Sequence, residues 1–217
     1  VGSISFLAFY VFSFFLSIET AVIVAIIASV LTTGAFHEDG FDLKNCPLPE
    51  NAEGASPMDL NKFISQMESM NFSNSVFVDC TASQDVADFY ERVLEAKVAI
   101  VTPNKKANSS SLEKYKNLKK LAGKRSVKFL YETNVAAGLP VINTLQDLLL
   151  CGYKVIKLEA VLCVSMIYIF SELEKGAPFS DVVKLAKEKG YTEPDPRDDL
   201  SGMDVARKIL ILGREAE

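Results

Sequence analysis

Tryptophan is absent from this 217-residue chain, histidine occurs once, and basic residues do not gather into a stripe. The net charge is −5, and Lys119, Lys120, Lys124 and Arg125, set near Glu113, read as the solvated end of a helix. That balance argues against nucleic-acid binding. The four cysteines (46, 80, 151 and 163) form no C-x-x-C and no framework spacing. A zinc ribbon and a disulfide scaffold are therefore unsupported, and reduced thiols of a cytosolic protein (or a plastid one, in a plant) are expected. The lone His37 sits in an acidic turn, His37-Glu38-Asp39-Gly40, without a partner that would make it a base or a ligand. No Lys or Arg precedes Lys44, so neither a signal-peptide n-region nor a positive-inside flank is visible. The dinucleotide fingerprint G-x-G-x-x-G is also missing.

What the chain has in excess lies at its start. Residues 1–36 carry one charge, Glu19, among Phe, Val, Ile, Ala and Ser. By length and hydropathy Val1–Ile18 and Ala21–Phe36 qualify as membrane helices. The first residue is Val rather than Met, which suggests a piece of a longer polypeptide. Further on, 41–56 reads as a loop and 57–70 as a helix, with apolar residues at 60, 63, 64, 67 and 70. Short apolar strands at 75–80, 98–102 and 127–131 alternate with helices at 85–96 and 109–122, the pattern of a doubly wound parallel sheet. After Pro140 the register changes. A helix over 141–150 ends at Gly152, an alternating strand is expected over 154–164, and helices follow at 168–175 and 180–189. Ser180 is the expected N-cap of the last of these, and Gly190 its terminator. The chain thus divides into 1–134 and 135–217, an α/β unit followed by the beginning of an α+β one.

The most specific stretch is 186–208, where an acidic, proline-punctuated loop opens into a helix carrying Asp204 and Lys208 one turn apart. Pro194 and Pro196 fix φ on either side of Asp195, and the i,i+4 spacing puts carboxylate and ammonium on one face. Each residue has a plainer reading. Asp and Ser cap helices, and an exposed i,i+4 pair contributes only about 0.2–0.5 kcal/mol. Taken together, A-x3-G-Y-T-E-P-D-P-x2-D-L-x-G-x-D-x3-K resembles the signature of homoserine dehydrogenases. Three further blocks carry the same resemblance: Val76–Ser83, Val101–Asn108 and Tyr131–Pro140. The similarity is greatest to the dehydrogenase half of bifunctional aspartokinase–homoserine dehydrogenases and can be followed from about residue 36 onward.

That resemblance implies a partial Rossmann-like doubly wound parallel sheet followed by an incomplete α+β substrate and dimerisation domain. It implies NADP- or NAD-dependent interconversion of L-aspartate 4-semialdehyde and L-homoserine in threonine and methionine biosynthesis. It also offers a second account of the N-terminus. Val1-Gly2-Ser3 would be the tail of a glycine-rich loop, Ser3–Ser17 the following helix and Ala21–Ala28 the buried second strand. Gly2, Thr81, Ser83, Asn104 and Lys105 would then contact cofactor, although Thr81 and Ser83 serve equally well as caps of the 85–96 helix. Lys105 and Lys208 would be the catalytic cations, facing one another across a domain cleft. Glu193, Asp204, Tyr191, Asp199 and Ser165 would hold substrate, with one of Asp198 and Asp199 serving as a cap. Backbone carbonyls of Glu132, Val135, Ala137 and Leu139 would bind a monovalent cation, sodium or potassium.

The chain departs from the family in two places. Cys163-Val164-Ser165-Met166-Ile167 stands where S-G-T-x-N/S is usual, and a valine for glycine at 164 would obstruct close approach of a ligand. Ala136 also replaces a glycine, and would strain the loop if that position needs positive φ. The alternatives to an active enzyme are an inactive structural homologue or fragment, or a protein anchored to a membrane through residues 1–36. A small-molecule substrate and a homo-oligomer are the expected partners.

Overall fold

A computed structural model describes the chain at 23–26, 33–34, 56–136, 138–192 and 195–217. It separates into two compact units, Val1–Tyr131 and Glu132–Glu217.

The first unit is built on a four-stranded parallel sheet of β1 (Ile23–Ile26), β4 (Val76–Asp79), β5 (Ala99–Val101) and β6 (Phe129–Leu130), paired in that order. Ile23 lies opposite Val76, Val76 opposite Ala99, and Ile100 opposite Phe129. Strand β1 falls inside the segment expected as the buried second strand. The helix expected at 3–17, the loop expected at 41–56 except for Ser56, which is in a strand, and the residues Gly2, His37 and Cys46 lie outside the described residues. A two-residue antiparallel pair, β2 (Thr33–Gly34) with β3 (Ser56–Pro57), stands apart.

β4 is buried along its whole length, as a continuous apolar run in a parallel sheet should be. Helices α1 (Leu60–Met70), α2 (Gln84–Asp88), α3 (Tyr90–Glu95) and α4 (Leu112–Arg125) cover the sheet. Ile64, Phe77, Tyr90, Val93, Leu94, Ile100 and Leu118 are fully buried in this unit. Each such side chain stabilises by about 1.5–3 kcal/mol relative to exposure. Tyr90 lies edge-on between Phe77 and Phe129, with ring centroids at 6.4 and 5.8 Å. Arg92 ties α3 to α1 through Glu68, Nε to Oε1 at 2.8 Å and Nη2 to Oε2 at 2.5 Å.

The single helix expected at 85–96 is two. Phe89 donates to the Val86 carbonyl at 3.1 Å, a three-residue step that breaks the α ladder and restarts it at Tyr90. Lys119, read from sequence as solvated, is half-buried, hydrogen-bonds the Tyr131 hydroxyl and lies 5.0 Å from that ring's centroid.

The second unit opens with a 3₁₀ turn, Glu132–Asn134, and continues through α5 (Val141–Leu150), α6 (Val164–Glu174), α7 (Phe179–Glu188), α8 (Pro196–Leu200) and α9 (Met203–Glu215). Ile169, Val182 and Ala186 form its small buried cluster, with Tyr168, Leu173 and Leu200 packed against them. The strand expected at 154–164 does not form. Residues 153–163 have no regular structure, and α6 begins at Val164. Among the described residues of this unit there is no strand to pair with, and an unpaired strand leaves its amides and carbonyls to water.

Ser180 does not cap α7 either. The helix begins one residue earlier, after Pro178, whose carbonyl already accepts from Asp181 and Val182 at 3.1 Å each. Gly190 terminates α7 as expected. At φ +71° it donates to Lys187, while Tyr191 donates to Ala186, which satisfies two terminal carbonyls.

Candidate active site

In the first unit the chemistry-bearing residues follow β4 and β5 at their carboxyl ends, where open α/β sheets bind ligands. Thr81 and Ser83 are half-buried. The Thr81 hydroxyl accepts from the Ser83 amide at 3.1 Å, and the Ser83 hydroxyl accepts from Val86 at the start of α2 at 3.5 Å. Ser83 is therefore the N-cap of α2. Among the described residues both hydroxyls only accept, so each keeps a proton to offer a ligand.

Asn104 is buried, and its amide is spent inside the protein. Nδ2 donates to Asp79 Oδ2 and to the Ser83 carbonyl, both at 2.9 Å, while Oδ1 accepts from Lys106 at 3.1 Å. Lys105, between them, is half-buried, and its carbonyl accepts from the Ser109 amide and hydroxyl at 2.9 and 2.7 Å.

Three residues at this site were not singled out from sequence. Asp79, Tyr90 and Thr102 are buried, with the Tyr90 hydroxyl 2.6 Å from Asp79 Oδ2 and 2.8 Å from Thr102 Oγ1. The only signal was a carboxylate ending an otherwise apolar strand. Burial, and then the Asp79 charge, push the Tyr90 hydroxyl well above its ordinary range. The same two causes raise the Cys80 thiol to about 11.

In the second unit α9 presents the pair expected from the i,i+4 spacing. Lys208 Nζ lies 2.7 Å from Asp204 Oδ2, and the side chains are only 15% and 18% exposed. The ammonium also donates to the Leu162 carbonyl at 2.6 Å, across 46 residues. This pair is not the solvated helix pair of the plainer reading. Gly202, at φ +74°, starts α9 at the turn after α8.

Directly beyond Leu162, Cys163 and Ser165 are buried, and so is Asp199 of α8. Ser165 Oγ donates to Asp199 Oδ1 at 2.7 Å and lies 2.8 Å from Cys163 Sγ. Val164 opens α6 with its side chain 68% exposed, and its φ is not positive, so the backbone there does not require glycine. Tyr191 is exposed and meets Tyr168 edge-on at 5.0 Å, and Lys189 Nζ lies over the Tyr168 ring. Glu193 lies outside the described residues, as does the side chain of Asp198. Asp195 caps α8 and pairs with Arg197 at 2.5 Å, which lowers its carboxyl to about 2.

The loop expected to bind a cation also has two layers. The Glu132 carboxylate receives Ile142 N–H at 2.7 Å and Asn143 N–H at 2.8 Å, so its side chain faces the N-terminus of α5. The carbonyls of Glu132 and Leu139 accept from Val135 and Val141 at 3.4 and 2.9 Å, and each oxygen retains a second lone pair. These donors fit an oxygen-seeking cation. Ala137 lies outside the described residues. Ala136 does not have positive φ, so alanine is not strained there.

A family model described as "Homoserine dehydrogenase, NAD binding domain" matches residues 23–132, and one described as "Homoserine dehydrogenase" matches 140–217. The chain belongs to the homoserine dehydrogenase family. It is 52% identical to a Haemophilus influenzae bifunctional aspartokinase/homoserine dehydrogenase over 77% of its length and 20% of that protein's. The chain thus spans about a fifth of that bifunctional relative. A crystal structure of a Candida auris protein of unknown function superposes with TM-score 0.74 at 41% identity, over 86% of this chain and 53% of that one. A hyperthermophilic archaeal homoserine dehydrogenase in complex with NADPH gives 0.65 at 25% identity, over 77% and 50%. The mixed α/β, Rossmann-like class read from sequence holds. No described helix is long and apolar enough to cross a membrane; residues 1–22 are not among those described.

Proposed function

We propose that this chain carries the NAD(P)H-dependent reduction of L-aspartate 4-semialdehyde to L-homoserine, and its reverse. The observation that carries the reading is Lys208: a half-buried ammonium held at two of its three N–H bonds by Asp204 and the Leu162 carbonyl. Among the described residues the third has no acceptor, and an oxygen of the substrate can take it. A bound nicotinamide supplies the hydride. As the aldehyde carbon receives it, Lys208 stabilises the developing alkoxide and hands it a proton. Asp204 keeps the ammonium aimed.

Glu193 and Tyr191 contact the substrate's amino-acid end in this reading. Ser165 and Asp199, bonded to each other, stand behind it and fix the 162–165 segment. Thr81 and Ser83 offer hydroxyl protons to the cofactor, NADP or NAD. Lys105 is a second catalytic cation, and Asn104 holds the loop that carries it. Carbonyls of Glu132, Val135, Ala137 and Leu139 take a sodium or potassium ion. The second unit also pairs with another copy of the chain. Its exposed apolar residues, led by Ile156 at 98%, Leu150 at 86% and Val161 at 77%, support that reading.

The test is oxidation of NAD(P)H with aspartate semialdehyde, comparing the protein with Lys208→Ala. Loss of the proton donor lowers kcat/KM by about 10²–10⁴-fold. Equal rates for the two proteins would overturn the assignment.

A further inference from the structure

Asp79 has no part in the reaction above, yet it ends β4 wholly buried with a carboxylate that receives hydrogen bonds from three separate places. Oδ1 accepts the Thr81 N–H at 2.7 Å, and Oδ2 accepts the Tyr90 hydroxyl at 2.6 Å and Asn104 Nδ2 at 2.9 Å. An amide N–H and a carboxamide N–H can only donate, so both oxygens act as acceptors. No cation pairs with the group among the described residues, and a buried charge without a countercharge is a costly way merely to join two strands.

The second end of this network brackets Lys105. Asn104 is bound to Asp79 directly, Lys106 is bound to the Asn104 oxygen, and the Asn104 amide donates to Thr102 Oγ1 at 2.9 Å. Thr102 Oγ1 in turn donates to the Asp79 carbonyl at 2.9 Å. One residue thereby sets both the turn after β4 and the loop after β5.

We propose that Asp79 is a positioning residue for Lys105, holding the 103–106 loop at the carboxyl end of the sheet through Asn104. The inference rests on the reading of Lys105 as a catalytic cation. The experiment exchanges the pair: Asp79→Asn, Asn104→Asp and the double exchange. In the first single variant one carboxamide oxygen is left to serve the three donors that two carboxylate oxygens served, in the second two carboxylates meet, and in the double a carboxamide again faces a carboxylate.

Amide hydrogen exchange of 104–106, which needs no turnover, accelerates in each single variant and returns toward the parent rate in the double. In parallel, the NADPH dissociation constant from fluorescence titration rises, and kcat falls about tenfold or more, the loss expected when a reacting group is misplaced. Both recover in part in the double variant, where the Ser83 carbonyl, the other acceptor of Asn104 Nδ2, is left facing a carboxylate oxygen. Asn104→Asp probes the same bond from its other end should Asp79→Asn fail to fold. Exchange at 104–106 that no variant alters, or a double that regains thermal stability but not kcat, overturns the inference. The exchange pattern without any semialdehyde reduction by the parent protein would uphold the positioning and overturn the proposed reaction instead.

Discussion

The N-terminus of α5 gives a prediction that can be graded. Its N-cap position is Pro140, which has no side chain able to accept a hydrogen bond, and Glu132 substitutes for it from eight residues upstream. The two carboxylate oxygens take the N–H groups of the second and third helical residues separately. Loss of a capping acceptor costs about 0.5–2 kcal/mol. Loss of a negative charge at a helix N-terminus costs a further 0.3–1 kcal/mol or so. Glu132→Gln retains one oxygen and loses the charge, for about 1 kcal/mol, whereas Glu132→Ala loses both acceptors, for about 2 kcal/mol.

In a chain of this size 1 kcal/mol moves Tm by about 2–4 °C. The melting temperature, followed by circular dichroism at neutral pH, should therefore fall by roughly 3 °C in the Gln variant and twice that in the Ala variant. The same variants separate the two layers of the loop. A cation bound by main-chain oxygens leaves sodium or potassium dependence of activity intact in Glu132→Ala, because the carbonyl survives. An unchanged melting temperature in the Ala variant would refute the capping role. Loss of cation dependence in Ala but not in Gln would put the side chain on the ion.

Gly202→Ala forces an L-residue to φ +74° at the start of the helix that carries Lys208, with open space around the new methyl. Strain alone should cost about 1–2 kcal/mol, read as a lower midpoint in denaturant, and an unchanged midpoint would count against it. Cys80, with its thiol raised to about 11, should resist iodoacetamide at pH 8 while exposed Cys151 reacts, and its labelling should climb only as pH nears that value. Equal labelling by peptide mass spectrometry would contradict the burial argument. Asp195 should titrate near 2 by NMR and move up toward 3.8 in Arg197→Ala, since the guanidinium is the leading cause of its depression. The same low value in the variant would remove Arg197 as the cause.

Much of the α/β order was legible because it is local. β4, β5 and β6 lie inside the apolar runs that predicted them, and Gly190 ends α7 by a rule confined to a few residues. The i,i+4 contact of Asp204 and Lys208 follows from helical geometry alone. What escaped depends on partners remote in sequence. The pattern over 154–164 alternates like a strand, but alternation does not supply a neighbouring strand. Asp79 meets Asn104 across 25 residues, Ser165 meets Asp199 across 34 and Lys208 meets Leu162 across 46. No periodicity in the chain encodes those distances. Ser83 shows the complementary limit: its capping and its ligand role draw on the same hydroxyl, and sequence cannot apportion them.

The bond from Lys208 to the Leu162 carbonyl also bears on how this site can evolve. Every amino acid brings the same main-chain oxygen to position 162, proline included. Half of the lysine's anchorage is thus indifferent to mutation at the residue that provides it, while the other half is lost with almost any replacement of Asp204. Saturation mutagenesis should accordingly find a permissive position and an intolerant one holding the same ammonium. The permissive one would register only those changes that displace the chain trace itself.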